Sequence, residues 1–269
     1  MYLTALGGAS GVSAGERKRL QVERVEITLP SLPPGLDGFR IVQLSDLHLE
    51  PFTTLEDIEK AVDACNALKP DLIALTGDFV TDTARPAGML AELLQQLQAP
   101  HGVFSILGNH DFWSGAEEVI NALKERNIPV LRNETRHIHT DGGTLHLAGF
   151  DSVYVNQPDI RKTLADLRDN QPLILMMHEP DVADVIAAAG VKGLQISGHT
   201  HGGQLRFRGK DPMAMRRARW GKKYLAGHFD VGALQLYVNR GIGCVGVPMR
   251  IGCPPEVTEL TLRSPLLHS

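Results

Sequence analysis

The stretch that decides the fold is Gly102-Val-Phe-Ser-Ile-Leu-Gly-Asn-His-Asp111, in which an apolar run ends abruptly in polar residues. A short apolar run of this kind predicts a buried strand, and the glycine after it lets the chain turn where the strand ends. The turn brings the side chains of Asn109, His110 and Asp111 to one place. Two interpretations are open at this point: a metal or phosphate site at the carboxyl end of a strand, or a turn closed by its own side chains.

Four further predicted strands end in the same kind of polar sequence. They cover residues 39–45, 71–75, 172–177 and 192–197, and they stop at Asp46-Leu-His48, Asp78, His178 and His199-Thr-His201. In chain order, the predicted strands at 39–45, 71–75 and 102–107 are each followed by a predicted helix, over 54–69, 86–97 and 114–126. Because right-handed crossovers between parallel strands place the strand ends on one rim of a sheet, we expect these distant residues to converge.

The rest of the chain predicts additional elements of one domain. Strands at 134–139 and 144–149 flank a hairpin turn at Asp141-Gly-Gly143, and further strands are expected at 24–29, 234–238 and 257–262. Helices are expected over 160–167 and 181–189. Since no repeat or linker divides the sequence, we predict a flexible N-terminal tail over residues 1–23 and a single domain over 24–269.

Composition excludes several classes of protein. The 269 residues are 43% hydrophobic and 22% charged, as in ordinary globular proteins, and the net charge of −4 does not indicate a nucleic-acid-binding protein. Three cysteines do not make a disulfide framework. No segment is long and apolar enough to span a bilayer, and no export segment is visible, so we expect a location in the cytoplasm or at the inner membrane face.

The polar residues at the strand ends are candidate metal ligands. A single histidine at a strand end is more often an ordinary hydrogen-bonded residue, but five strand ends with the same chemistry argue against coincidence. Carboxylates, imidazoles and an amide oxygen suit ions of the Mn, Fe or Zn type. Asp46 and His48, like His199 and His201, are two residues apart in segments expected to be extended, where side chains point the same way. The set is too large for one ion and matches two ions bridged by one carboxylate.

These blocks, taken together and in this order, resemble the calcineurin-like metallophosphoesterases. The resemblance covers most of the chain and rests on Ser-Asp46-Leu-His48, Thr-Gly-Asp78, Gly-Asn109-His-Asp, Met-His178-Glu-Pro and Gly-His199-Thr-His201-Gly-Gly-Gln. Three further segments resemble one bacterial branch, the YkuE-like phosphoesterases. They are Leu32-Pro-Pro-Gly-Leu-Asp-Gly-Phe39, Gly202-Gly-Gln-Leu-Arg206 and Leu236-Tyr-Val-Asn-Arg-Gly-Ile-Gly243.

The resemblance implies a fold, a cofactor and a set of roles. The fold is α/β, a four-layer α/β/β/α sandwich of two mixed sheets flanked by helices. The cofactor is a pair of divalent or trivalent ions, with a hydroxide held between them as the nucleophile. One ion is held by Asp46, His48 and His201, the other by Asn109, His178 and His199, and Asp78 bridges them. His110 is the expected general acid, with Asp111 as the residue that supports it.

The expected activity is hydrolysis of a phosphodiester or pyrophosphate bond. A lipid-linked or nucleotide-sugar substrate such as UDP-diacylglucosamine leads, because relatives in this branch act on it. A phosphomonoesterase or a phosphodiesterase for soluble substrates is the alternative. A third interpretation, a binding platform without catalysis, would require a site that lacks ligands, and this sequence contains the full set.

The segment 206–223 is strongly basic. Its cations are Arg206, Arg208, Lys210, Arg216, Arg217, Arg219, Lys222 and Lys223, with Met213, Met215 and Trp220 between them. Two interpretations lead, a solvated loop and a surface for substrate or an anionic membrane. Nucleic-acid binding is a third, and it is disfavoured because the patch is short and the chain is acidic overall. Arg206, Arg240 and Asn109 are the candidate substrate-binding residues, and an ion pair between strands is the alternative for Arg240.

Overall fold

Eleven strands and five α-helices form the part of the chain that the computed structural model describes, residues 16–155, 158–168, 170–206 and 220–267. The strands are β1 (Gln21–Thr28), β2 (Arg40–Leu44), β3 (Leu72–Leu75), β4 (Val103–Ser105), β5 (Glu134–Thr140), β6 (Gly143–Gly149), β7 (Leu173–Met176), β8 (Gly193–Ser197), β9 (Gly227–Val231), β10 (Leu234–Val238) and β11 (Glu256–Arg263). The helices are α1 (Leu55–Ala67), α2 (Ala87–Leu94), α3 (Asn109–Glu125), α4 (Ile160–Thr163) and α5 (Ala183–Ala188).

The strands form two mixed sheets. The first has the order β1-β11-β2-β3-β4, in which β2, β3 and β4 are parallel and β11 runs antiparallel to β2. The second has the order β5-β6-β7-β8-β10-β9, with a parallel centre and antiparallel pairs at both edges. The parallel strands of each sheet direct their carboxyl ends to one rim, as the crossover rule requires.

Three buried apolar clusters define the layers. The cluster between the sheets includes Leu147 and Ile174 from the second sheet and Leu260 from the first. A second cluster joins the first sheet to α1, α2 and α3, and a third joins the second sheet to α4 and α5. The order of layers is helix, sheet, sheet, helix, so the predicted four-layer α/β/β/α sandwich is confirmed.

Several element boundaries differ from the prediction. Strand β1 starts at Gln21, because it pairs in parallel with β11 from that residue onward, so residues 21–23 belong to the sheet and not to the N-terminal tail. Helix α3 starts at Asn109 instead of residue 114, and its kink at Gly115 explains why the sequence pattern begins later. The sequence does not predict strand β9, since the exposed polar residues His228 and Asp230 resemble a loop.

Hydrogen bonds join the two sheets where their carboxyl ends meet. The buried amide of Gln43 donates to the Thr76 hydroxyl and to the Ser197 carbonyl, both at 2.9 Å. Across the same gap, His178 Nδ1 lies 2.7 Å from the Thr76 carbonyl oxygen. These bonds hold the loops after β2, β3, β7 and β8 around one point. No helix in the described part of the chain is long and apolar enough to cross a membrane.

Candidate metal centre

Two groups of predicted ligands lie at this point. The first comprises Asp46, His48 and His201, and the second comprises Asp78, His178 and His199. A third group shares His48 and Asp78 with them and adds His110. Within each group the ligand atoms all lie within 4.8 Å of one another, and all of these residues are buried except His110 and His199, which are half-buried. The loops after β2, β3, β7 and β8 therefore bring together the strand-end residues that the sequence singles out.

Asp78 lies between the two groups. Its Oδ2 atom is 3.3 Å from His48 Nε2 and 3.1 Å from His178 Nε2. On the other side, His201 Nε2 lies 3.4 Å from Oδ1 of Asp46. This arrangement places one carboxylate within reach of both groups.

Three buried polar atoms at the site have no hydrogen-bond partner: His48 Nε2, His178 Nε2 and Asn109 Oδ1. A buried polar atom without a partner costs about 1–3 kcal/mol, so such atoms are rare in folded proteins. Because the Thr76 carbonyl can only accept, Nδ1 of His178 donates to it, which leaves Nε2, 3.1 Å from the Asp78 carboxylate, as the nitrogen that can bind a metal. A cation between these atoms satisfies both, and the donor set fits ions of the Mn, Fe or Zn type.

The charges of the site also attract a cation. Burial opposes ionisation of Asp78, but the neighbouring His178 and His48 outweigh it and hold the pKa of Asp78 well below its usual range. Burial, together with nearby His178, lowers the pKa of His199 to about 3, and burial lowers the pKa of His201 as well. These two imidazoles are therefore neutral near pH 7, which is the form that binds metals.

The backbone of the site is left-handed at five of these residues. The φ angles are 50° at Asp46, 45° at His48, 56° at Asp78, 70° at His199 and 52° at His201. The prediction that Asp46-x-His48 and His199-x-His201 are extended is therefore wrong. Non-glycine residues adopt this conformation at a cost of about 1–3 kcal/mol each, and such strain is concentrated at functional sites.

The role expected for Asp111 is not the one its contacts indicate. Its carboxylate accepts N–H bonds from Asp78, Phe79, Val80 and Gly108 at 2.8–3.2 Å. Burial and the Asp78 carboxylate raise the pKa of Asp111 to about 7, while the backbone donors oppose that shift. Asp111 thus braces the loop that carries Asp78, and the expectation that it supports the His110 ring is wrong.

His110 is held by other groups. Its backbone N–H donates to Asp78 Oδ1 at 2.9 Å, and its Nδ1 lies 2.9 Å from the Thr81 carbonyl oxygen. Since that oxygen only accepts, Nδ1 carries the proton and Nε2 is left for other partners. The ring lies edge-on to His48, with centroids 4.9 Å apart, and it lines an open cleft of about 480 Å³ together with Asn109 and His199.

Arg240 does not direct its guanidinium to the site. It forms ion pairs with Glu23 at 2.7 Å and with Glu256 at 2.8 Å, and it also contacts Gln21. The alternative interpretation, an ion pair between strands, is the one that these contacts support. Arg206 lies beside the cleft residue Leu205, and its backbone N–H donates to the Ile251 carbonyl.

Most of the basic segment lies outside the described residues, including Arg208, Lys210, Met213, Met215, Arg216, Arg217 and Arg219. At its described end, Trp220 packs against the apolar cluster on the outer face of the second sheet. The ammonium group of Lys223 pairs with Asp184 at 2.7 Å. Asp181 accepts backbone N–H bonds from Lys222 and Lys223, which fixes this end of the segment beside His199.

Arg250 is a site-supporting residue that the sequence motifs did not reveal. It is fully buried, and its guanidinium donates to the carbonyls of Gly243, Arg240 and Cys253 at 2.6–3.2 Å and reaches that of His201 at 3.5 Å. One buried cation therefore holds the loop of His201 to the glycine-rich return after β10. An isolated arginine in a loop gives no sequence signal for such a role.

Comparisons with known proteins agree with this geometry. The sequence model of the family described as calcineurin-like phosphoesterase matches residues 39–203. The chain is 37% identical to the uncharacterized metallophosphoesterase YkuE of Bacillus subtilis, over 97% of this chain and 92% of that protein. It is 30% identical to an uncharacterized metallophosphoesterase of Aquifex aeolicus, over 98% of each chain. The solved structure of TT1561 of Thermus thermophilus shares the fold, with a TM-score of 0.52, 16% identity and coverage of 76% and 89%.

Replacing Gly108 by alanine tests the close packing behind Asp78. A methyl group at Gly108 would overlap the Asp78 carboxylate and its backbone nitrogen, whereas one at Gly88, on the exposed face of α2, would contact nothing within 4 Å. We expect Gly108→Ala to weaken metal binding roughly 10–100-fold, as changes behind metal ligands do. Gly88→Ala should leave it unchanged. Metal titration of both purified variants is the measurement, and equal affinities would show that Asp78 adjusts freely.

Replacing Arg250 by methionine tests the bracing of the His201 loop. The change keeps a long side chain but leaves several buried carbonyls without donors, and we expect the metal-free protein to lose about 3–5 kcal/mol of unfolding free energy. Arg263→Met is the matched control, since Arg263 pairs with Glu26 and Asp37 nearer the surface. Its effect in urea denaturation should be much smaller. Comparable losses in the two variants would contradict the bracing role.

Proposed function

Because the chain belongs to the calcineurin-like phosphoesterase family, we propose that its metal centre hydrolyses a phosphodiester or pyrophosphate bond. Membership in this family makes the protein a metal-dependent phosphoric ester hydrolase. The observation that carries the proposal is the buried set of acids, imidazoles and an amide, in which three buried polar atoms have no hydrogen-bond partner. A protein that used the fold only as a platform would not need to keep these atoms unsatisfied.

We assign the ligands as two overlapping sets. Asp46, His48 and His201 would hold one ion, Asn109, His178 and His199 the other, and Asp78 would contact both. When bound, two such ions activate water and neutralise charge on the phosphoryl oxygens. The identity of the metals, of the Mn, Fe or Zn type, follows from the mixed nitrogen and oxygen ligands.

His110 is the proposed general acid. With Nδ1 occupied by the Thr81 carbonyl, a protonated His110 presents Nε2–H as its remaining donor, and the ring lines the cleft. That donor can pass its proton to the departing ester oxygen, while the bond from the His110 backbone to Asp78 keeps the ring beside the ligand set. The side-chain amide of Asn109 is proposed to contact a phosphoryl oxygen from the same turn of α3.

The proposed substrate is a lipid-linked or nucleotide-sugar phosphoester such as UDP-diacylglucosamine, with a soluble phosphodiester or a phosphomonoester as the rivals. The basic segment supports an anionic partner, because Arg206 and Trp220 adjoin the cleft residues Leu205 and Gly221. Contact of residues 206–223 with an anionic membrane surface belongs to the same proposal. An assay of the metal-loaded protein with bis(4-nitrophenyl) phosphate, 4-nitrophenyl phosphate and UDP-diacylglucosamine distinguishes the three.

The variant Asp78→Asn tests the shared ligand. An amide lacks the negative charge needed between two cations, so we expect metal content to fall below one ion per chain and hydrolysis of all phosphoesters to disappear. Asp184→Asn, which removes a carboxylate whose partners are Lys223 and Tyr224 and none of the proposed ligands, should keep full metal content. Elemental analysis after gel filtration is the measurement. Wild-type stoichiometry in Asp78→Asn would refute the bridging assignment.

The variant His110→Ala tests the general acid. Metal content should stay at the wild-type level while turnover of an alkyl ester falls roughly 10²–10⁴-fold. The loss should shrink for 4-nitrophenolate, which leaves without protonation. His228→Ala, on exposed strand β9, serves as the control for removing an imidazole. If good and poor leaving groups suffer equally, His110 stabilises transition-state charge and does not donate a proton.

A further inference from the structure

The cleft beside the metal centre has two chemically different parts. Near the proposed ligands it is lined by Asn109, His110, His199 and His201. The remaining side chains that line it are largely apolar, namely Trp113, Leu205, Val245 and Val247, and glycines fill the space between them. With a volume of about 480 Å³, the cleft has the size of an ordinary small-molecule site.

The polar side chains in the second part are already occupied by the protein. Gln204 donates to the carbonyls of Val245 and Val247 and accepts from the Val245 N–H, all at 2.9–3.2 Å. The Thr200 hydroxyl donates to the Leu225 carbonyl and accepts from the Gly202 N–H. Among the described residues that line the cleft, side-chain hydrogen-bonding groups for a substrate thus lie at the metal end, apart from the indole N–H of Trp113.

Trp113 presents a large aromatic surface next to the metal end. Its side chain is 60% exposed, although the residue lies one turn after His110 on α3. The indole packs edge-on against His110 and against Tyr154, with centroids 5.1 and 5.8 Å away, and Tyr154 in turn lies 5.7 Å from His199. The ring is therefore fixed in place while much of it faces solvent. Rigid exposed aromatic surfaces of this kind mark ligand-binding sites.

We propose that this part of the cleft binds an apolar ester group of the substrate, an aryl ring or a hydrocarbon chain, against Trp113. The proposal rests on the proposed function, because the phosphoryl group must sit at the metal end for its substituent to reach the indole. Trp113 is then a specificity-determining residue, and the enzyme selects phosphoesters that carry at least one apolar group. Aryl and hydrocarbon groups share the chemistry that these side chains recognise.

The test uses phosphonates, which carry one substituent and cannot be hydrolysed. Methyl-, 2-hydroxyethyl-, butyl-, octyl- and phenylphosphonate are titrated calorimetrically into the metal-loaded protein. We expect the octyl or phenyl compound to bind roughly tenfold or more tightly than the hydroxyethyl compound. In Trp113→Ala that advantage should fall to about twofold, and Trp113→Phe should restore most of it. Val185→Ala, which trims an exposed side chain on α5, is the control and should keep the full advantage.

A fluorescence measurement locates the bound group. The chain has two tryptophans, so Trp220→Phe leaves Trp113 as the single indole. Phenylphosphonate should change its emission, and inorganic phosphate should change it far less. If octylphosphonate binds more tightly than phenylphosphonate, the subsite prefers a hydrocarbon chain, and the reverse order indicates a preference for a ring. Either order supports the proposal.

Failure of this proposal is distinguishable from failure of the proposed function. If the protein hydrolyses phosphodiesters but binds every phosphonate with equal affinity, or prefers the hydroxyethyl compound, the apolar subsite is refuted and the activity stands. If Trp113→Ala still binds octyl- or phenylphosphonate much more tightly than 2-hydroxyethylphosphonate, the role of Trp113 is also refuted. If no phosphoester is hydrolysed and no metal is retained, the proposed function fails first.

Discussion

The rest of the site depends on one constraint, which is that carboxylates, imidazoles and an amide converge in a buried place and leave three polar atoms without a hydrogen-bond partner. Asp78 faces two imidazole nitrogens, and Asn109 Oδ1 is unsatisfied beside them. Such a cluster repels itself unless positive charge enters it. The surrounding structure therefore has to hold the ligands in place by other means, and hydrogen bonds to backbone groups outside the cluster provide that support.

Two buried side chains give this support. Asp111 gathers the backbone N–H groups of the Asp78 loop and of Gly108, while Arg250 gathers carbonyls from the His201 loop and the return after β10. A buried polar side chain that makes several hydrogen bonds satisfies backbone groups that the strands leave unpaired where they end. The left-handed residues Asp46, Asp78 and His201 are held in strained conformations by these bonds and by the glycine contacts around them.

The sequence predicts the fold and the residues that gather at the site, but not the residues that support them. The recurring pattern of strand, polar turn and helix predicts the parallel strands, and the handedness of crossovers places Asp46 and Asp78 on one rim of the first sheet. His178 follows a strand of the second sheet, and it meets them because the two sheets pack together. The local backbone could not be predicted, since nothing in Asp-x-His distinguishes an extended segment from a left-handed one. The roles of Arg240 and Arg250 could not be predicted for a similar reason. An arginine's partner depends on which loop folds over it, and that is a tertiary property.

The division of the cleft into a polar end and an apolar part bears on how selectivity can arise. Esters of one type share the same phosphoryl oxygens, so contacts at the metal end do not distinguish one ester substituent from another. Gln204 and Thr200, which could have read a polar substituent, bond to backbone groups of the protein instead. Among the described residues, discrimination is then left to the surfaces of Trp113, Leu205 and the valines. Such surfaces exclude polar groups by desolvation and accept apolar groups that fit, so the proposed subsite would narrow the set of substrates without any change in the proposed ligands.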